Sequence, residues 1–88
     1  MHFVDYRPLF YRLHGLKFED MENIELINLG SKLRDLRLQK EFSQEKFAEL
    51  TGLDRTYISG LERGKRNPSF LIIKRLCQVL EINPNELF

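Results

Sequence analysis

Cysteine is all but absent from this chain of 88 residues, Cys77 being the only one. No internal disulfide can form, no zinc site of paired cysteines exists, and a secreted disulfide scaffold is excluded, so the fold must stand on packing. Long apolar runs are missing as well. The longest, such as Phe70 to Ile73, fall far short of the roughly 20 residues that span a bilayer, and the N-terminus carries no apolar signal segment. The expected location is the cytoplasm, with no membrane partner. Catalytic and metal-binding sets are also lacking. His2 and His14 lie twelve residues apart with no cysteine or carboxylate at metal-ligand spacing, which reads as surface histidine and no metal. With no glycine-rich phosphate loop, nucleophile or acid-base pair, the sequence calls for no cofactor, and an enzyme is the weakest reading. Asn67-Pro68-Ser69 is no glycosylation acceptor, because proline fills the middle position.

What is present is ordinary for one folded domain. Hydrophobic residues make up 42% and charged residues 31%, and a chain this short buries only roughly 60% of its unfolded surface, too little for two cores. The net charge of +1 conceals an uneven distribution. Residues 1–30 hold three lysines and arginines against five acidic residues, a balance of −2; residues 31–76 hold eleven against six, a balance of +5; Glu81 and Glu86 leave residues 77–88 at −2. A basic middle between acidic ends suits a nucleic-acid reader with a separate association surface, although a solvated surface without a partner gives the same pattern.

The chain reads as helical throughout. Leu29, Leu33 and Leu36 recur at helical spacing and predict a helix over residues 29–41. Ser43 is a good N-cap for a second, with Phe47, Ala48 and either Thr51 or Leu50 turned inward before Gly52 stops it. Asp54 is placed to cap a third, burying Ile58 and Leu61 and exposing Arg55, Thr56, Ser59 and Arg63. After the loop Lys65-Arg66-Asn67-Pro68, Ser69 caps a fourth whose buried stripe is Leu71 or Ile72, Leu76, Val79 and Leu80. Cys77, beside that stripe, reads as a small core residue. Asn83-Pro84-Asn85-Glu86 predicts a final helical turn ending at Leu87-Phe88.

The first 22 residues stand apart, with five of the ten aromatics: Phe3, Tyr6, Phe10, Tyr11 and Phe18. Asp5 could cap a short helix from Pro8 to His14, stopped by Gly15. The segment covers the core, mediates a dimer, or extends upstream of a domain whose natural start is Met21; these alternatives stay open. The division is therefore an N-terminal extension, 1–22, and a domain over 23–88.

Two short helices joined by a tight turn, with small Ala48 and Gly52 where they approach most closely, have the geometry of a helix-turn-helix. From Leu29 to Phe88 the chain resembles the helix-turn-helix family of the lambda-type repressors and Cro. The resemblance lies in Ser43-Gln44-Glu45, Ala48, Gly52 and the run Ile58-Ser59-Gly60-Leu61-Glu62-Arg63-Gly64. Within that family, Leu53 to Ser59 looks most like the controller proteins of bacterial restriction-modification systems. The resemblance implies an all-α, five-helix lambda repressor-like DNA-binding domain that works as a homodimer on a double-stranded DNA operator.

In such a motif the first turn of the second helix meets base edges in the major groove. Here that turn offers Arg55, Thr56 and Ser59. Arg55 is the residue whose fork can bond guanine O6 and N7 together, and Thr56 could meet a thymine methyl. Gly60 stands where some relatives carry a longer base-reading side chain. Gln44, with Ser43, sits at a helix N-terminus whose orphan amides favour a phosphate; Tyr57, Lys65, Arg66, Asn67 and Ser69 are assigned to the backbone as well. For Asn67 and Ser69 the competing reading is a turn residue and an N-cap. The resemblance further suggests that Arg37 and Glu62 pair across the first and third helices. In the resembling family the C-terminal region mediates pairing, which points to Ile82, Leu87 and Phe88 as the dimer interface, with the aromatic N-terminal segment as a substitute.

The resulting expectation is a sequence-specific transcriptional regulator, a restriction-modification controller, which blocks or recruits RNA polymerase by occupying a two-fold operator. A phage-type repressor or an antitoxin would show nearly the same residues. The rival of another class is a protein-interaction module that reads no bases, against which the exposed Arg55-Thr56 pair argues.

Overall fold

The computed structural model describes Gly15 and residues 17–88. The expected helix from Pro8 to His14 lies outside the described residues. Four α-helices and one short 3-10 turn account for the regular structure among them, and no strand occurs: α1 (Phe18–Gln39), α2 (Gln44–Thr51), α3 (Arg55–Glu62), α4 (Phe70–Leu80) and the 3-10 turn Pro84–Leu87. The final segment expected as a fifth helix is thus a single 3-10 turn, opened by Asn83, whose backbone N–H donates to Glu86 Oε2 at 2.7 Å.

The first helix corrects the sequence reading. It begins at Phe18 rather than Leu29 and runs unbroken through the expected boundary between residues 22 and 23. Its start is fixed by Asp20, whose Oδ2 accepts from the Lys17 backbone N–H at 3.1 Å, and by the acidic first turn of Glu19 and Asp20, favoured at the positive end of the helix dipole. The inward face carries Met21, Gly30, Leu33 and Arg37, with Leu29 and Leu36 half-buried beside it.

One core serves all the elements. Leu33, Phe47, Ala48, Ile58, Leu61, Leu76, Cys77, Leu80 and Leu87 form its centre. Burying a side chain such as Phe47 or Ile58 is worth about 1.5–3 kcal/mol. Where the sequence left two choices open, packing decides between them. Thr51 is buried and Leu50 exposed, the threonine hydroxyl being satisfied by donation to Phe47 O at 2.7 Å. Ile72 is half-buried against the core while Leu71 is exposed.

α1 crosses α3, and α2 packs against both α3 and α4. The crossing of α1 on α3 depends on Gly30, because a Cβ there would collide with the backbone carbonyls of Leu61 and Glu62. All four helices end in one way. Glu41, Gly52, Gly64 and Glu81 take φ between 58° and 73°, and the next backbone N–H reaches back five residues: Phe42 to Arg37, Leu53 to Ala48, Lys65 to Gly60 and Ile82 to Cys77. This closure satisfies carbonyls that a helix end leaves open, and glycine suits it because the left-handed conformation crowds a Cβ.

Candidate nucleic-acid interface

The α2–α3 pair is set by its ends. Ser43 Oγ accepts from the Lys46 N–H at 3.0 Å to cap α2, and Gly52 at φ 71° turns the chain into α3. Asp54 holds the N-cap position of α3 without a side-chain cap bond, contrary to the expected capping role. Ile58 and Leu61 drive the opposite face of α3 into the core, so Arg55 and Thr56 stand in solvent and Ser59 is half-buried. The three expected base-contacting residues therefore share the outer face of one two-turn helix.

Beneath that face lies a polar chain that ties the helices together. Arg37 Nε and Glu62 Oε2 lie 2.6 Å apart, Arg37 Nη2 donates to Glu62 Oε1 at 3.0 Å, and Arg37 Nη1 donates to Phe42 O at 2.6 Å. Both side chains are nearly sealed from water, at 7% and 2% exposure. Such a bidentate pair fixes orientation as well as charge. Glu62 Oε1 also accepts from Gln44 Nε2 at 3.2 Å, and Gln44 Oε1 accepts from Arg55 Nη1 at 3.2 Å. Gln44 is thus half-buried and engaged at both ends of its amide. Since an amide nitrogen carries two donors, the Glu62 bond uses only one of them. Nothing in the spacing of Gln44 and Glu62, eighteen residues apart, marked this link; sequence reasoning found the ion pair and missed its extension to Arg55.

The residues expected to face phosphate form a rim around α3. Lys65, Arg66 and Asn67 are exposed in the loop after α3, while Pro68 is buried and pins that loop. Arg66 places its guanidinium carbon 6.0 Å from the centre of the half-buried Tyr57 ring. Its stem crosses Gly60, where a Cβ would come within 2.9 Å of Arg66 Cγ. Gly60 is therefore buried under Arg66 rather than left open to approach by a base. Ser43 and Ser69 both act as N-caps, Ser69 Oγ accepting from the Ile72 N–H at 3.2 Å; each hydroxyl keeps its own O–H to donate.

The residues expected at the dimer interface separate. Leu87 is part of the core and Ile82 packs half-buried against it, whereas Phe88 is 72% exposed. Phe88 rims a groove of about 760 Å³ whose walls include Leu26, Leu29, Pro68, Ile73 and Leu87. Phe70 and Leu71, on the first turn of α4, are as exposed as Phe88.

Among the described residues, no group of three histidine, cysteine or carboxylate side chains could hold a metal ion, and no helix is long and apolar enough to cross a membrane.

Known proteins share this arrangement. Residues 33–87 match the helix-turn-helix family model. Control protein C.MunI from a Mycoplasma species is 46% identical over 63 residues, covering 70% of this chain and 85% of its own. The crystal structure of the restriction-modification controller protein C.AhdI from Aeromonas hydrophila superposes with a TM-score of 0.72 at 49% identity, covering 74% of this chain and 98% of that one. The controller protein C.Esp1396I, solved as a tetramer with its natural 35 base-pair operator, superposes with a TM-score of 0.66 at 34% identity, covering 73% and 84%. The matched residues 33–87 hold the paired helices, the buried Arg37–Glu62 bridge and the basic rim, and the chain belongs to the helix-turn-helix family of transcriptional regulators.

Proposed function

We propose that this chain is a sequence-specific regulator of the restriction-modification controller kind, acting in the cytoplasm as a homodimer on a two-fold symmetric operator. The observation that carries the reading is the first turn of α3. Arg55 and Thr56 are held in solvent on a helix whose other face is locked to α1 through Glu62 and Arg37. A rigid helix presenting one fork-shaped donor is what direct reading of guanine in the major groove needs. Arg55, Thr56 and Ser59 contact base edges. Ser43, Gln44, Tyr57, Lys65, Arg66, Asn67 and Ser69 hold the phosphates on either side.

The 3-10 turn Pro84–Leu87 takes the place of the fifth helix of a lambda repressor-like domain, and the extension is the part of residues 1–22 that precedes α1. Pairing runs through Phe88 with Phe70 and Leu71, while Leu87 and Ile82 support that surface from inside. Regulation is by occupancy, the bound dimer blocking or recruiting RNA polymerase according to where the operator lies; no catalysis is involved.

Selection from a random duplex library with the purified chain, at two salt concentrations, tests the reading. The expected result is an enriched two-fold site whose half-sites contain a guanine that Arg55→Ala no longer selects, at a loss of about 1–3 kcal/mol of discrimination. Absence of enrichment, with weak binding that vanishes as salt rises, leaves only the electrostatic component and points to a partner-binding module instead.

A further inference from the structure

Arg55 is already engaged on the DNA-facing end of α3. Its Nη1 donates to Gln44 Oε1 at 3.2 Å, and its Nε lies 3.7 Å from Glu45 Oε1. The two partners differ in kind. Gln44 is neutral and held from below by Glu62. Glu45 is anionic, and its side chain is 72% exposed. Its place in the first turn of α2 is one that the helix dipole favours for a carboxylate. On a face otherwise rimmed by Lys65 and Arg66, an exposed carboxylate opposes the approach of phosphates.

We infer that Glu45 is a specificity-determining residue, whose carboxylate occupies the Arg55 guanidinium against phosphate so that Arg55 adds to binding only where a guanine is presented. The inference rests on the reading of the first turn of α3 as base-contacting. Its physical basis is competition between acceptors. Carboxylate and phosphate both offer a guanidinium charged oxygens, and Glu45 is tethered beside it, so exchange for a phosphate brings no advantage. Guanine offers a different contact, two acceptors in the plane of the fork and away from solvent, while an exposed ion pair is weak and yields to it. On random DNA, Arg55 then releases no counterion. Specificity arises because the wrong complex is penalised as well as the right one favoured.

Affinity for a random-sequence duplex, measured with the full chain across a salt series, tests this in four proteins: wild type, Glu45→Gln, Arg55→Ala and the double variant. Each phosphate newly neutralised steepens the salt dependence by about 0.9. Glu45→Gln is therefore expected to steepen the random-duplex slope by about that amount and to tighten binding several-fold at low salt. In the Arg55→Ala background, Glu45→Gln is expected to leave the slope where it was. On a selected operator, Glu45→Gln stays within about two-fold of wild type, as displacement of an exposed pair requires, so the ratio of operator to random affinity falls. Equal tightening and equal slope change in both backgrounds would make Glu45 an ordinary surface charge and overturn the inference, as would a Glu45→Gln slope identical to wild type. The random-duplex series needs no operator. A selection without enrichment therefore removes the functional reading, whereas an operator found with unchanged slopes removes only the role of Glu45.

Discussion

At the Arg37–Glu62 bridge a single side chain links stability to recognition. Two charges taken out of water attract each other strongly, but most of that attraction offsets the loss of hydration, so the intact pair adds little beyond what an apolar pair would. Removing one partner is another matter. Glu62→Gln leaves the Arg37 guanidinium buried at 7% exposure with no counter-charge, and such a loss costs about 3–5 kcal/mol. Thermal unfolding should shift down by roughly 4–8 °C for each kcal/mol lost. DNA binding should weaken with it, because Glu62 also holds Gln44, and Gln44 holds Arg55. A Glu62→Gln protein that melts and binds as wild type would show that the bridge does not fix α3 to α1. Cys77 makes the opposite case, a reactive group made inert by its place. Burial pushes its thiol up from the ordinary value, and the nearby Glu86 carboxylate pushes the same way. The folded state therefore holds this proton more tightly than the unfolded chain does. The stability that follows is complete at neutral pH and is lost as pH rises through the alkaline range. A thiol-specific disulfide reagent at neutral pH should label the native protein at least about 100-fold more slowly than the urea-unfolded chain, since reaction requires thiolate and access together. Equal labelling rates would mean that the C-terminal half of α4 opens freely.

The helices are delimited by two sorts of signal, and only one is written plainly in residue type. Gly52 and Gly64 stand at left-handed helix ends, and glycine there is a readable stop. Glu41 and Glu81 stand at the same point of the same closure, with φ of 60° and 58°. A Cβ in that conformation costs about 1–2 kcal/mol, part of which glycine returns through its own freedom in the unfolded chain. Glu41→Gly is thus expected to raise stability by about 0.5–1 kcal/mol, read as a higher urea midpoint at unchanged slope. Glu81→Gly should give less, because Glu81 Oε2 accepts from Lys40 Nζ at 3.1 Å across the ends of α1 and α4. These two sites also show what the sequence made legible. The order of the elements and the inward residues Leu33, Phe47, Ile58, Leu76 and Leu80 follow from apolar spacing and cap residues, because burial and capping act on residues close in sequence. The start of α1 escaped because Met21 is the one buried apolar residue between Phe18 and Gly30, too sparse a pattern for periodicity; the acidic turn Glu19-Asp20 was the available sign. The outer face of α3 was legible for the same local reasons. The chain from Glu62 through Gln44 to Arg55 was not, since it joins α2 and α3 by single hydrogen bonds that leave no periodic trace.

For the whole molecule the question is how one short module achieves specificity. A single α3 meets only a few base pairs, so two copies on a two-fold site are needed to read an operator. The surface that joins them must expose apolar area without destabilising the monomer. Phe70, Leu71 and Phe88 do so, at 69%, 72% and 72% exposure. Large aromatic and aliphatic side chains left in water at this level are the usual anchors of an interface, which needs about 1,000 Å² or more of buried surface to persist. Leu87 is excluded as a direct contact because the monomer's own core already holds it. Phe88→Asp should leave the fold intact, since the side chain packs little, and should convert a micromolar dimer to monomer in sedimentation equilibrium. Affinity for a two-fold operator should fall by about 100-fold or more as the second half-site ceases to be an intramolecular contact, while affinity for an isolated half-site stays the same. If Phe88→Asp stays dimeric, the paired change of Phe70 and Leu71 to aspartate separates the remaining possibilities. Dissociation would place the seam on the first turn of α4. Persistence of the dimer in both variants would remove Phe88, Phe70 and Leu71 from the assembly altogether.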